Sequence, residues 1–299
     1  MKIVFMGTPE FARESLQYLY DDKYDIAAVF TAIDKPRNRG MKPSPTPVKE
    51  LAVKNNTPVY HPIDLTADKI KSLGCDLIVV VAFGEMLRED ILLTPPLGCI
   101  NIHGSMLPKY RGAAPIQHAI LNGDTITGVT AQYMSKKMDE GDIIHIETTP
   151  IGDDETSEDL FSRLSRIGGE LLIRTVFDIE NGAAPRISQN HADATYAPKL
   201  TKDMAPIDFN ASANEIKNKI RAFVPWPVAT APIGGRMVKV YSADIGEKAA
   251  GELPGKVIGG TDRGIEIACK DGTVIITRLQ APGGKILSAA DYMRGNPLV

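Results

Sequence analysis

A chain of 299 residues with 43% hydrophobic and 24% charged residues and a mean hydropathy of −0.10 has the composition of a folded globular protein, which excludes a disordered or membrane-embedded chain. Its length favours two domains, because single cores stop growing near ~250–300 residues. A net charge of −3 argues against a general nucleic-acid binder, although residues 206–299 are mildly basic, with 12 Lys/Arg against 9 Asp/Glu.

The N-terminal MKIVFMGTPEF passes from a short apolar run straight into Pro, Glu and Arg without a small-residue cleavage site, so it is read as a first β-strand. Apolar strands then alternate with helical patterns: YDIAAVFT, helices over 10–20, 48–54 and 67–73, and CDLIVVVAF. Continuous Val/Ile/Leu runs between amphipathic helices indicate a parallel sheet covered on both faces, an α/β, Rossmann-like architecture. A helix over 114–121, the strands TGVTAQYM and DIIHIETT, and a long amphipathic helix over 157–180 follow. Thr156 or Ser157 caps that last helix and Asn181-Gly182 ends it. A catalytic domain over 1–188 and a surface linker over 189–205 are expected. Beyond a helix over 213–222, short strands punctuated by Gly and Pro suggest a small β-barrel in a domain over 206–299.

Cys75, Cys99 and Cys269 are odd in number, dispersed and without C-x-x-C pairing, so neither a disulfide framework nor a zinc site is expected. A cytoplasmic setting fits, and no apolar run approaches the ~20 residues of a membrane helix. Without a long apolar edge or coiled-coil pattern, a monomer is expected.

In open α/β sheets ligands bind beyond the carboxyl ends of the strands, where strand order reverses. Those ends are Gly7-Thr8-Pro9, Thr31, Phe83-Gly84-Glu85 and the segment after CINIH. The first lacks G-x-G-x-x-G, so no dinucleotide is expected. In GCINIHGS, Asn101 and His103 lie two residues apart and leave one face of a strand end together. A polar pair breaks the apolar rule of a buried parallel strand where a site is expected, but a strand-terminal turn with hydrogen-bonded Asn and His is an equally open reading. Asp139, in the turn Met138-Asp139-Glu140-Gly141, could bring a carboxylate to the imidazole or be a solvated turn residue. His118 and His145 lack metal-ligand spacing to His103.

The segments NIHGSMLPKYRGAAPIQ and TGVTAQYMSKKMDEGDII resemble the catalytic signature of the 10-formyltetrahydrofolate-dependent formyltransferases. The resemblance runs from Met1 to about residue 188. It implies that Asn101, His103 and Asp139 carry catalysis, with Asn101 and a protonated His103 donating to the developing oxyanion and no metal required. It further implies that Ser105, Met106, Leu107 and Pro108, with Met106 where the family has Leu, line the folate site. Phe83, Gly84, Glu85 and Met86 match the loop that receives the pteridine.

The acceptor amine is set elsewhere. The basic, Pro-rich stretch 34–47 reads as a solvated connection on its own. It resembles the basic insertion loop of those family members that act on methionyl-tRNA, which implies tRNA contacts through Lys35, Arg37, Arg39 and Lys42. YAPKLTKDMAPIDF and PWPVAT resemble the linker and OB-like C-terminal domain of the same members, and OB folds commonly bind nucleic acid strands. The implied partners are initiator methionyl-tRNA and folate. The rivals are a nucleotide-sugar formyltransferase and a non-catalytic RNA-binding protein.

Overall fold

The computed structural model describes residues 1–37, 42–247, 251–296 and 298, with the backbone alone for Pro36, Arg37 and Lys42. In chain order the elements are β1 (Lys2–Gly7), α1 (Glu10–Asp21), β2 (Asp25–Phe30), β3 (Lys35–Arg37), β4 (Lys42–Ser44), α2 (Pro47–Lys54), β5 (Val59–Tyr60), α3 (Ala67–Leu73), β6 (Leu77–Val81), α4 (Glu89–Leu92), β7 (Cys99–His103), α5 (Pro115–Leu121), β8 (Ile126–Tyr133), β9 (Ile143–Pro150) and α6 (Ser157–Glu180). They continue with α7 (Ala213–Ala222), β10 (Ala229–Ile233), β11 (Arg236–Ile245), β12 (Val257–Gly260), β13 (Ile265–Ala268), β14 (Thr273–Gln280), β15 (Ile286–Ser288) and α8 (Ala289–Gly295). Two compact units emerge: Met1–Pro115, Ile126–Thr149 and Phe161–Ala197 form the first, and Ile116–Thr125, Pro150–Leu160 and Pro198–Val299 the second.

The first unit is built on one sheet of order β5-β2-β1-β6-β7-β8-β9. Strands β5, β2, β1, β6 and β7 run parallel, and β8 returns antiparallel to β7. Chain order reverses between β1 and β6, so that crevice is the expected ligand position. The apolar runs that predicted a doubly covered sheet are buried on both faces, and β6 is buried along its whole length. Local chemistry places the helices: the Thr46 hydroxyl accepts from the Lys49 amide and Pro47 opens α2, while Thr66 caps α3, which stops at left-handed Gly74. Thr156 accepts from the Asp159 amide at the start of α6.

Two stretches differ from their sequence reading. The solvated connection 34–47 contains a short ribbon, β3 against β4, with Pro36 opposite Pro43 and Arg37 opposite Lys42. Opposed prolines suit a non-hydrogen-bonded pair, which needs no N–H. The stretch read as a surface linker, 189–205, is partly interior. Tyr196 bridges Arg111, Ala197 is fully buried, and Gln189 is only 7% exposed. Its polar composition is that of a surface loop, but part of that polarity serves buried partners in the first unit.

In the second unit β10-β11-β14-β13-β12 form one antiparallel sheet, with β15 added on β14. Alternating residues such as Ala231, Val238, Val240, Ile267 and Ile276 turn to a core shared with Ile216 and Ile220 of α7 and Tyr292 of α8. Register shifts in β11 against β14 bend the strand, which lets the antiparallel sheet curl around this core. A capping box starts α7, with the Glu215 carboxylate accepting from the Ser212 hydroxyl and backbone, and those bonds hold its carboxyl below the usual range.

Candidate active site

Strand β7 lies between β6 and β8, with Asn101 opposite Gln132 and His103 opposite Thr130. Asn101 and His103 therefore share a face at the carboxyl end of a central strand, where the sheet rule places a ligand. His103 is 7% exposed, and both ring nitrogens face defined groups. Its Nε2 is 2.9 Å from the Tyr110 carbonyl oxygen, and its Nδ1 is 3.7 Å from Asp139 Oδ1. A carbonyl only accepts, so Nε2 carries the hydrogen and Nδ1 is the atom left to exchange a proton. At 3.7 Å the Asp139 contact is an ion pair for an imidazolium, too long for a direct hydrogen bond.

Asp139 is oriented by both of its oxygens. The Gly112 amide donates to Oδ2 at 2.8 Å and Gln132 Nε2 donates to Oδ1 at 3.2 Å. Its backbone is left-handed, at φ +55°. Residues with positive φ gather around this strand end, at Ala82, Tyr110 and Asp139 besides Gly84 and Gly112, and such conformations persist where the surrounding structure holds them. Asn101 differs from its neighbours: among the described residues no group hydrogen-bonds its side-chain amide, so both N–H groups are free to meet a substrate oxygen.

Several supporting residues escaped the sequence reading. Arg111 is 2% exposed and fully engaged. Its Nε and one terminal nitrogen donate to Gln189 Oε1 at 3.2 and 2.7 Å, that same terminal nitrogen meets His191 Nδ1 at 2.9 Å, and the other approaches Glu140 Oε1 at 3.3 Å. A buried guanidinium demands such partners. Gln132 was hidden inside an apolar strand and Gln189 inside a polar loop. The one available signal was Tyr-Arg-Gly directly after the SMLPK segment.

The residues expected to receive folate sit on two adjoining loops, after β6 and after β7. Ser105 is fully buried and its hydroxyl donates to the Lys109 carbonyl at 2.5 Å, so its side chain shapes the loop. The Leu107 amide donates to Thr130 Oγ1, whose hydroxyl donates to the Ser105 carbonyl. Leu107 is buried, and Met106 and Pro108 keep partial exposure. Phe83 packs into the core on one face of the sheet, anchoring the exposed Gly84, Glu85 and Met86. Of the expected tRNA contacts, Lys35 is exposed, Arg37 and Lys42 are placed by backbone pairing alone, and Arg39 lies outside the described residues.

Other titratable groups are committed elsewhere. His118 Nε2 meets the Pro198 carbonyl oxygen and His145 Nε2 meets Asp178. Burial pushes the Cys75 thiol to about 11 and the Cys99 thiol to about 12, so neither is a thiolate near neutral pH. Among the described residues no three His, Cys, Asp or Glu converge as a metal site, and no helix is long and apolar enough to cross a membrane.

Residues 1–176 match the formyl transferase family and residues 199–297 match the formyl transferase C-terminal domain. The chain belongs to the formyl transferase family. It is 44% identical over 302 residues to the methionyl-tRNA formyltransferase of Alkaliphilus oremlandii, covering 100% of this chain and 97% of that protein. Two solved structures share the fold. An N-formyltransferase from Helicobacter canadensis in complex with folinic acid and dTDP-3-aminofucose superposes with a TM-score of 0.71 at 22% identity, covering 92% of this chain and 98% of the other. HypX from Aquifex aeolicus in complex with tetrahydrofolic acid gives 0.68 at 19% identity over 98% of this chain, which spans 47% of that longer one.

Proposed function

We infer that the chain transfers the formyl group of 10-formyltetrahydrofolate to the α-amino group of initiator methionyl-tRNA, for translation initiation. Identity to a methionyl-tRNA formyltransferase over the whole chain carries the acceptor assignment, because the other formyl transferase branches share the fold and differ in what they formylate. The chemistry rests on one geometric fact: a histidine nitrogen with its partner nitrogen already bonded lies within ion-pair reach of a held carboxylate.

In this reading Asn101 donates an N–H to the formyl oxygen as negative charge develops there. The amine nitrogen bonds to the formyl carbon and its proton passes to His103 Nδ1. Asp139 stabilises the resulting imidazolium without itself taking the proton. His103 then returns the proton to the folate nitrogen as its bond to the formyl carbon breaks. Formylated amine and tetrahydrofolate result, with no proton gained or lost. This alters the sequence expectation, in which a protonated His103 donates to the oxyanion: with Nε2 committed to Tyr110, the histidine is better placed to carry the proton.

Folate is held in this reading by Met106, Leu107, Pro108 and the Gly84–Met86 loop, with Ser105 and Phe83 supporting them. Initiator tRNA is met by Lys35, Arg37, Arg39 and Lys42 and by residues 206–299, through phosphate contacts that position it. The enzyme works as a cytoplasmic monomer. The deciding experiment offers purified protein 10-formyltetrahydrofolate with methionyl initiator tRNA, free methionine or a nucleotide-linked amino sugar. Formylation of the tRNA alone is the expected result, and transfer only to the sugar overturns the acceptor.

The turn bearing Asp139 gives a second test. A Cβ on Gly141 would lie 1.7 Å from the Tyr133 carbonyl oxygen, so Gly141→Ala must shift backbone two residues from the carboxylate. A displacement near 1 Å costs about 10²-fold in rate. Single-turnover formylation should show that loss, and an unimpaired Gly141→Ala enzyme would mean that the Asp139 position is unimportant.

A further inference from the structure

We propose that Gln189 is a positioning residue for formyl transfer, fixing the Asp139 turn so that its carboxylate faces His103. The proposal rests on the reading of Asp139 and His103 as the reacting pair. Gln189 comes from the stretch after α6, 50 residues from Asp139 in sequence, and is 7% exposed. Its Nε2 donates to the carbonyls of Asp139 and Gly141, each at 2.8 Å. The same nitrogen lies 3.3 Å from Gln132 Oε1, and Gln132 in turn donates to the Asp139 carboxylate.

The orientation of this amide is dictated by chemistry. Arg111 offers only donors, so Gln189 Oε1 must face it and Nε2 must face the carbonyls. Arg111 grips the same turn a second time through Glu140 Oε1. The turn is thus held from Asp139 to Gly141 by one buried amide and one buried guanidinium. That restraint has a purpose beyond cohesion, because Asp139 is a non-glycine residue in a left-handed conformation that local sterics disfavour. Its carboxylate stays 3.7 Å from His103 Nδ1 only while this turn keeps its shape.

The arrangement separates two roles that a plain deletion would mix. Gln189→Glu keeps an acceptor for Arg111 and loses both donors to the turn, whereas Gln189→Met keeps the bulk and loses every polar contact. Both variants should lower kcat for formylation of methionyl-tRNA by ~10–10²-fold through misplacement of the Asp139 carboxylate. The KM for methionyl-tRNA and the Kd for 5-formyltetrahydrofolate should stay within about twofold at a temperature where each variant is folded, although both variants lose stability because the Asp139 and Gly141 carbonyls lose their donor. In the Asp139→Ala enzyme, Gln189→Glu should add no further loss, since both changes act on one group. Parent-like kcat in Gln189→Glu, a loss confined to KM, or a full further loss on top of Asp139→Ala overturns the proposal. If Asp139→Ala itself keeps parent activity, the catalytic reading fails instead.

Discussion

Replacing His103 with Gln lowers kcat for formyl transfer by about 10²–10⁴-fold, the contribution of a well-placed proton-transfer group, while folate affinity is kept. The choice of Gln follows from the two ring nitrogens. A glutamine amide reaches about as far as Nε2 and can go on donating to the Tyr110 carbonyl, but it has nothing in place of Nδ1. His103→Ala also removes the donor to Tyr110 and strands a buried acceptor, which costs about 1–3 kcal/mol of stability besides the catalytic loss. Single-turnover rates, folate titration and thermal unfolding of both variants separate the effects: equal rates with different stabilities assign catalysis to Nδ1. A His103→Gln enzyme within tenfold of the parent removes the histidine as proton carrier.

The sequence made most of the scaffold legible because the relevant physics is local. Apolar runs bounded by Gly, Pro and capping residues located β1, β2, β6 and α6, and the end of β7 followed from the rule that parallel sheets bind ligands at their carboxyl edges. Asn101 and His103 were visible as a polar pair on a strand that should be apolar. Asp139 was visible as a residue but not as a neighbour, because its approach depends on how β8 and the turn after it fold back along β7. Family resemblance supplied that link, and the 3.7 Å separation is its geometric form. Gln189 and Arg111 were invisible for a different reason. They bond to each other across 78 residues, and neither periodicity nor turn chemistry carries information at that range. The β3–β4 ribbon was missed because its prolines read as loop formers, although prolines are tolerated on an isolated ribbon where no N–H is required.

One short segment ties His103 and Asp139 together. Tyr110 supplies the carbonyl that sets the His103 tautomer, and Gly112 supplies the amide that orients Asp139. Both have positive φ, and Arg111 between them is the buried anchor. The segment is fastened in turn to Thr195 and Ala197 by backbone bonds from Arg111 and to its carbonyl. Preorganisation of this kind is what lets dipoles stabilise developing charge without reorganising during the reaction.

Asn101 stands apart from that network, and its substitution carries the second large effect. Asn101→Ala should lower kcat by about 10²–10³-fold, equivalent to about 2.7–4 kcal/mol, as expected for an oxyanion donor that is lost. Because no described residue hydrogen-bonds the Asn101 amide, its removal leaves no buried partner unsatisfied, and the unfolding transition should stay near that of the parent. Asn101→Asp, nearly the same shape, sets a carboxylate where the oxyanion forms, and should be slower than Asn101→Ala. The order parent, Ala, Asp in single-turnover rate, with folate affinity kept, distinguishes charge stabilisation from shape. If Asn101→Asp is as fast as the parent, the developing charge is stabilised elsewhere, and the free amide on β7 serves only to contact the substrate.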